Sequence, residues 1–263
     1  MTGTRGRLVL VPTPLDFGVV DAATDLREVL PLGVIRAAAR LAYWVAENAK
    51  TTRAFLKRVD AIEPLARPLQ SLHIVELPRP QKGAARPQAA PASLQALLAP
   101  ALDGHDIGLA CEAGMPAIAD PGAALVAAAH AAQINVVPLP GPNSLLLALA
   151  ASGLNGQSFA FVGYLPVEAS ARAARIRELE ALSRRAAQTQ LMIETPYRNA
   201  ALLGALLSNL GTATRLSVSC GLTLEGGWTR SATIAQWRAE PRSIAADIPA
   251  VFALLAGRVV RRP

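Results

Sequence analysis

Three segments of this 263-residue chain attach glycine, proline and acidic residues directly to short apolar runs. The first is Cys111-Glu112-Ala113-Gly114-Met115-Pro116, continuing to Asp120-Pro121-Gly122. The second is Pro138-Leu139-Pro140-Gly141-Pro142-Asn143-Ser144, and the third Glu194-Thr195-Pro196-Tyr197-Arg198. An acid at such a junction can accept hydrogen bonds from hydroxyls or from an ammonium group. A glycine there lets the backbone approach a ligand closely. Where a helix follows the turn, its first N–H groups have no partner inside the helix. Several familiar chemistries are missing: there is no G-x-G-x-x-G after the first apolar run, no phosphate-cradling Walker loop and no G-x-S-x-G elbow. Cys111 and Cys220 stand far apart, and His73, His105 and His130 are scattered, so no metal-ligand spacing is visible and no metal is expected.

The elements that must carry these segments read as alternating strands and helices. Leu8–Val11 is a buried strand closed by Pro12 and Pro14. Helical spacing follows through Leu26, Val29 and Leu30 and again from Ile35 to Ala49, interrupted by a strand at Leu41–Val45. His73–Leu77 is a further strand, and the proline-rich Pro78–Pro91 a loop or lid. Ser93 is expected to cap a helix through Leu94, Leu97 and Leu98. The strand Ile107–Ala110, the helix Gly122–Gln133, the strand Ile134–Leu139 and the helix Ser144–Ser152 complete a series typical of a parallel sheet covered on both faces. In an open parallel sheet, ligands bind outside the carboxyl ends of the strands, and the three segments are expected together at one such edge.

The second half reads as a strand at Phe159–Leu165, a charged helix at Ser170–Arg185, a strand at Leu191–Glu194 and a helix at Asn199–Leu210. Then come a strand at Leu216–Leu222, a turn at Gly226 and Gly227, and a short helix at Ile234–Ala239. Ile248–Leu255 fits a strand or a helix equally. A boundary near Gly141 divides the chain into domains 1–141 and 142–263.

Composition bounds the partners. Lys and Arg number 26 against 19 Asp and Glu, a net charge of +7. That excess suits nucleic acid, or simply an arginine-favouring genome. The basic helix with Arg172, Arg175, Arg177, Arg184 and Arg185, and the tail with Arg258, Arg261 and Arg262, could hold phosphates or form a solvated face. Two cysteines suit a reducing compartment. The opening residues develop no secretory apolar region before Pro12, and the stretch Leu145–Ala151 is too short to span a bilayer. A cytoplasmic protein without membrane association is expected.

In order along the chain stand V-P-T-P (Val11–Pro14), A-G-M-P with D-P-G (Ala113–Gly122), V-V-P-L-P-G-P (Val136–Pro142), G-Y-L-P (Gly163–Pro166) and E-T-P-Y-R (Glu194–Arg198). This series resembles the tetrapyrrole methylase family of S-adenosylmethionine (SAM)-dependent methyltransferases, and most closely its branch that 2′-O-methylates small-subunit ribosomal RNA. The resemblance implies two α/β domains with SAM in the cleft between them, usually in a homodimer. Residue by residue it implies cofactor contacts from Glu112, which stands where the family has an aspartate, and from Gly114, Met115, Asn143 and Ser144, with Met192 and Ile193 forming a wall from the second domain. For methyl transfer to a hydroxyl, Glu47 and Glu194 are the candidate bases, with a structural pairing to Arg198 as the alternative for Glu194. Two stretches depart from the branch. Leu15-Asp16-Phe17-Gly18 replaces its I-G-N-L, and Ala46-Glu47-Asn48-Ala49-Lys50 replaces its A-E-D-T-R. Both belong to the acceptor side, so weak or absent turnover on the ribosomal site is expected, with SAM binding intact. Three readings stay open: methylation of ribosomal RNA, of a tetrapyrrole or other small molecule, and SAM binding without turnover. Cys111, in place of the branch's serine, reads as a small buried residue.

Overall fold

The computed structural model describes residues 4–16, 25–78 and 91–257, which divide into two compact units, Met1–Asn143 and Ser144–Pro263. Phe17 and Gly18, the interior of the Pro78–Pro91 loop, and Arg258, Arg261 and Arg262 lie outside the described residues.

In the first unit the elements run β1 (Arg7–Leu10), α1 (Leu26–Val29), α2 (Leu32–Arg40), β2 (Tyr43–Ala46), α3 (Ala49–Asp60), β3 (His73–Glu76), α4 (Pro91–Leu102), β4 (Ile107–Ala110), α5 (Ala123–Ala131) and β5 (Asn135–Pro138). Five strands form one sheet in the order β3-β2-β4-β1-β5, every pair parallel. Alternate residues of each strand serve opposite faces. Val9 and Trp44 pack with Ile35 and Ala38 of α2 and Phe55 and Leu56 of α3. Leu8, Val45 and Leu109 pack on the other face with Leu98 of α4 and Leu125 of α5. Trp44 is buried with its indole N–H donated to the Leu41 carbonyl at 3.1 Å, so its large apolar surface is buried without orphaning the polar atom.

Strand order also creates a crevice. β1 and β4 are neighbours, yet the chain leaves β1 toward helices on one face and leaves β4 toward α5 on the other. Where adjacent parallel strands send their connections to opposite faces, their carboxyl ends open a gap in which ligands bind.

The second unit contains α6 (Ser144–Ser152), β6 (Phe159–Phe161), α7 (Ala169–Ala186), β7 (Thr189–Ile193), α8 (Asn199–Asn209), β8 (Arg215–Cys220), β9 (Trp228–Thr233), α9 (Ile234–Ala239) and β10 (Ala250–Leu255). Its sheet, β6-β7-β10-β8-β9, is mixed: β6 and β7 are parallel, and the remaining pairs antiparallel. Helix α6 packs Leu145, Ala148 and Leu149 on one face against Leu191, Val251 and Ala253. On the other face lie Ile176 and Leu179 of α7, Leu202 and Leu206 of α8, and Trp237 of α9.

Four local expectations are corrected or resolved. Helix α4 begins at Pro91, so Ser93 lies in its first turn and is no cap; proline suits a first helical position, where no N–H partner is needed. Strand β6 stops at Phe161 rather than Leu165. Strand β9 was not expected, because W-T-R-S-A-T has no apolar run. It is an edge strand held by its six-residue register to β8, and all its residues are half-buried. The ambiguous Ile248–Leu255 resolves into β10, the central strand, whose alternation is hidden because both its faces are covered.

Candidate active site

Parallel register decides which side chains meet at the carboxyl edge of the first sheet. Ala46 pairs with Ala110, and the Glu47 N–H donates to the Ala110 carbonyl at 3.1 Å, prolonging the β2–β4 ladder by one residue. Glu47 therefore stands level with the Cys111–Glu112 turn. Its Oε2 accepts the Glu112 N–H at 3.1 Å. Asn48 caps α3, its Oδ1 accepting the N–H groups of Lys50 at 2.9 Å and Thr51 at 3.4 Å. The other end of the same amide donates from Nδ2 to Glu112 Oε1 at 2.9 Å. Two residues just after β2 thus fix both the backbone and the carboxylate of a residue after β4.

Across the crevice, Thr13 and Gly114 exchange backbone hydrogen bonds, Thr13 N–H to Gly114 O at 2.9 Å and Gly114 N–H to Thr13 O at 3.0 Å. The Thr13 hydroxyl donates to the Cys111 carbonyl at 3.2 Å. Gly114 has φ +81°, and a Cβ there would sit 3.1 Å from Leu15 Cδ2. The glycine is required by the loop itself, before any ligand is considered. Positive φ recurs at Ala117 (66°) and Ala119 (62°) in the same loop, a local strain that surrounding contacts must hold in place. The second turn is pinned by close approach: a Cβ on Gly141 would lie 2.3 Å from Pro12 Cγ, so the V-P-T-P and P-L-P-G-P segments pack on each other.

Electrostatics follow from burial. Burial raises the Glu47 carboxyl above its ordinary value, and the Glu112 charge adds to this against the opposing Glu112 N–H. Burial, with the Glu47 charge next, lifts Asp120 to about 6. Burial, with Asp120 beside it, also pushes the Cys111 thiol up, so it carries no thiolate; its sulfur lies 3.3 Å from the Ala113 carbonyl. Three carboxyl groups crowded at one edge favour a cationic ligand, or one rich in donors. Among the described residues no three Asp, Glu, His or Cys side chains are arranged to hold a metal ion.

The expected site residues divide between the units. Glu47, Glu112 and Gly114 come together on the first sheet's carboxyl edge, with half-buried Met115 on the same loop and buried Asn143 at the end of the second turn. Ser144 opens α6 of the second unit. The expectation of three junctions at one edge is corrected, because Glu194 follows β7 of the other sheet. Its carboxylate is engaged on both oxygens, Oε2 by Arg198 at 3.1 Å and Oε1 by the Thr195 N–H at 2.9 Å. Met192 points into the second unit's core and is fully buried, whereas half-buried Ile193 packs on the opposite, α6 face. Successive strand residues face opposite ways, so the two side chains cannot form one wall. On α7, Arg175 pairs with Glu178 at 2.7 Å and Arg184 with Glu180 at 3.8 Å, while Arg177 reaches Asn209 at 2.8 Å. Much of that basic face is occupied within the unit.

Sequence reasoning missed Asp120 as a titrating partner and Asn48 as a ligand of Glu112. The D-P-G motif was a signal for the first. The second needed the β2–β4 register, which no local pattern gives.

An all-parallel α/β unit with an acid-lined switch-point crevice, followed by a mixed α/β unit, defines a two-domain α/β architecture. The pattern shared by tetrapyrrole (corrin/porphyrin) methylases matches residues 32–236, and the chain belongs to that family. Ribosomal RNA small subunit methyltransferase I of Mesorhizobium japonicum is 39% identical over 127 residues, 48% of this chain and 42% of that protein. The protein of the same name from Vibrio cholerae is 41% identical over 117 residues, 44% of this chain and 39% of that one. The matched stretch thus spans less than half the length of these curated relatives. Among solved structures, the methyltransferase CobJ matches with TM-score 0.54 at 16% identity over 98% of this chain and 96% of its own. A cobalamin synthesis related protein (CobF) from Corynebacterium diphtheriae gives 0.55 at 16%, over 95% and 98%. At that identity the likeness concerns the fold alone. Among the described residues no helix is long and apolar enough to cross a membrane.

Proposed function

We propose that the chain is a SAM-dependent methyltransferase that methylates a ribose hydroxyl of small-subunit ribosomal RNA, acting in the cytoplasm as a homodimer. The observation that carries the reading is the Glu47–Asn48–Glu112 arrangement at the switch point of a chain in this family. SAM bears an ammonium group, two ribose hydroxyls and a sulfonium, all of which suit an edge crowded with carboxyl groups. When bound it supplies an electrophilic methyl group on a good leaving group, so the protein's task is alignment. Glu112, held from both sides, fits the role of cofactor acceptor, and the Gly114–Met115 turn and Asn143 lie on the adjoining loops. Glu47 is favoured as the group receiving the hydroxyl proton, because burial raises its proton affinity toward the working range of a base, whereas both carboxylate oxygens of Glu194 are already engaged. The name shared by the curated relatives supports an RNA acceptor over a tetrapyrrole, as does the +7 charge.

Methyl-labelled SAM, offered with small ribosomal subunits or with uroporphyrinogen, separates the readings. Label in RNA, released as a 2′-O-methyl nucleoside, is expected at a low level, in keeping with the departures at positions 15–18 and 48–50. Label in the tetrapyrrole, or none in either with SAM bound, contradicts the proposed acceptor.

A further inference from the structure

The amino-terminal edge of the first sheet carries a second constellation that methyl transfer leaves unused. Parallel strands put all their starts at one end, about 13 Å from the acid-lined loops for four-residue strands. Tyr43 begins β2 and pairs in register with His73 of β3 and Ile107 of β4. His73 and His105 therefore flank it. The Tyr43 ring lies 5.1 Å from His73 with planes 10° apart, and 5.0 Å from His105 at 28°. The result is a three-ring stack across the sheet edge, with both imidazoles exposed.

A cavity of about 490 Å³ opens beside this stack, lined among others by Tyr43, His105, Asp106, Arg7, Arg40 and Arg67. The guanidiniums are not equivalent. Arg7 is neutralised by Asp106, at 2.6 Å. Arg36, one turn before Arg40 on α2, reaches Glu63 at 3.7 Å. Arg40 and Arg67 have no acidic partner among the described residues, and the Ala66 N–H bond to the Ala39 carbonyl at 2.8 Å holds their two segments together. Solvated arginines alone would mean little. Two unpaired guanidiniums beside an exposed ring stack supply the two contacts that unpaired nucleic acid uses, phosphate pairing and base stacking. A duplex keeps its base faces inside and cannot use the second.

We propose that this edge binds unpaired RNA, with a base stacked on the exposed His105 ring and the flanking phosphates on Arg40 and Arg67. The site is separate from the methyl-transfer edge and stands whether or not ribosomal RNA is the acceptor.

The test measures anisotropy of a fluorescent, unpaired RNA ten-mer with the full chain. His105→Ala should weaken binding about 5- to 100-fold, the range for losing one stacked base, and His105→Phe should restore it. Replacing Arg40 and Arg67 together with alanine should weaken binding to all sequences and lower the log–log salt slope by about 1.4. SAM affinity, measured by calorimetry, should be unchanged in every variant, which shows that they fold and separates this site from the one proposed above. Ten-mer binding unaffected by these changes overturns the proposal. So does equal, equally sensitive binding of an RNA hairpin or of polyphosphate, which would mark a charge patch. Full competition by adenosine monophosphate at the ten-mer's own concentration also overturns it, since the ligand would then be a small nucleotide.

Discussion

Asn48 and Glu112 are joined by a 2.9 Å hydrogen bond from the amide Nδ2 to the carboxylate Oε1, across the ends of neighbouring strands. Both positions depart from the branch pattern, which has aspartate at each. The two departures answer one another: a longer acid after β4 meets a donor, where a second acid would repel it. The amide also caps α3, so one side chain sets both the helix start and the acid's orientation.

Asn48→Asp keeps the helix cap, because aspartate caps as well as asparagine, but sets carboxylate against carboxylate. SAM affinity is expected to fall about ten-fold, in line with the roughly 1–3 kcal/mol of a charge-assisted bond. Restoring the full Asp-Thr-Arg pattern at positions 48–50 should therefore lower cofactor affinity rather than raise turnover. Calorimetry on the two variants decides; wild-type affinity in both would show that the bond has no bearing on the cofactor.

The raised carboxyl groups give a pH dependence whose sign can be worked out. Asp120 ionises near 4 in the unfolded chain and about 6 in the folded one. Folding is therefore increasingly disfavoured by this group as pH rises from about 4 to 6, and the deficit persists above that. Asp120→Asn should raise the melting temperature at pH 7 and leave it nearly unchanged at pH 4. A cationic ligand prefers the ionised forms, so SAM affinity should rise from pH 5 to 7. A flat affinity profile over that range would contradict the crowded-carboxyl description.

Glu194 is expected to act on stability alone. Arg198→Ala leaves its buried carboxylate without its charged partner and should cost about 3 kcal/mol in denaturant unfolding, with SAM affinity retained. Lost transfer activity in a fully stable Glu194→Gln variant would return this residue to the list of bases.

Gly141→Ala places a methyl group against the Pro12 ring, and about 1–3 kcal/mol of destabilisation is expected. Pro12→Gly in the same chain should recover part of that loss, whereas strictly additive effects would show that the contact does not govern the two turns.

Much of this was legible beforehand, for reasons that differ by element. β1 and β4 place buried residues on both faces and so read as unbroken apolar runs. β9 was invisible because an edge strand is specified by backbone pairing, which leaves no trace in W-T-R-S-A-T. Glu112 and Gly114 were legible as a strand–turn motif, yet the reason for Gly114 was not: its φ of +81° reflects the bridge to Thr13, 101 positions earlier in the chain. The sheet face that Met192 serves was not legible, because its place before Glu194 says nothing of it.

The most direct measurement of the central claim is calorimetric titration of SAM into the unaltered chain and into Glu112→Ala. Saturable one-site binding is expected in the first, weakened about 10- to 100-fold in the second with the fold intact by circular dichroism. Equal affinities in the two proteins would contradict the assignment of the first sheet's carboxyl edge as the cofactor site.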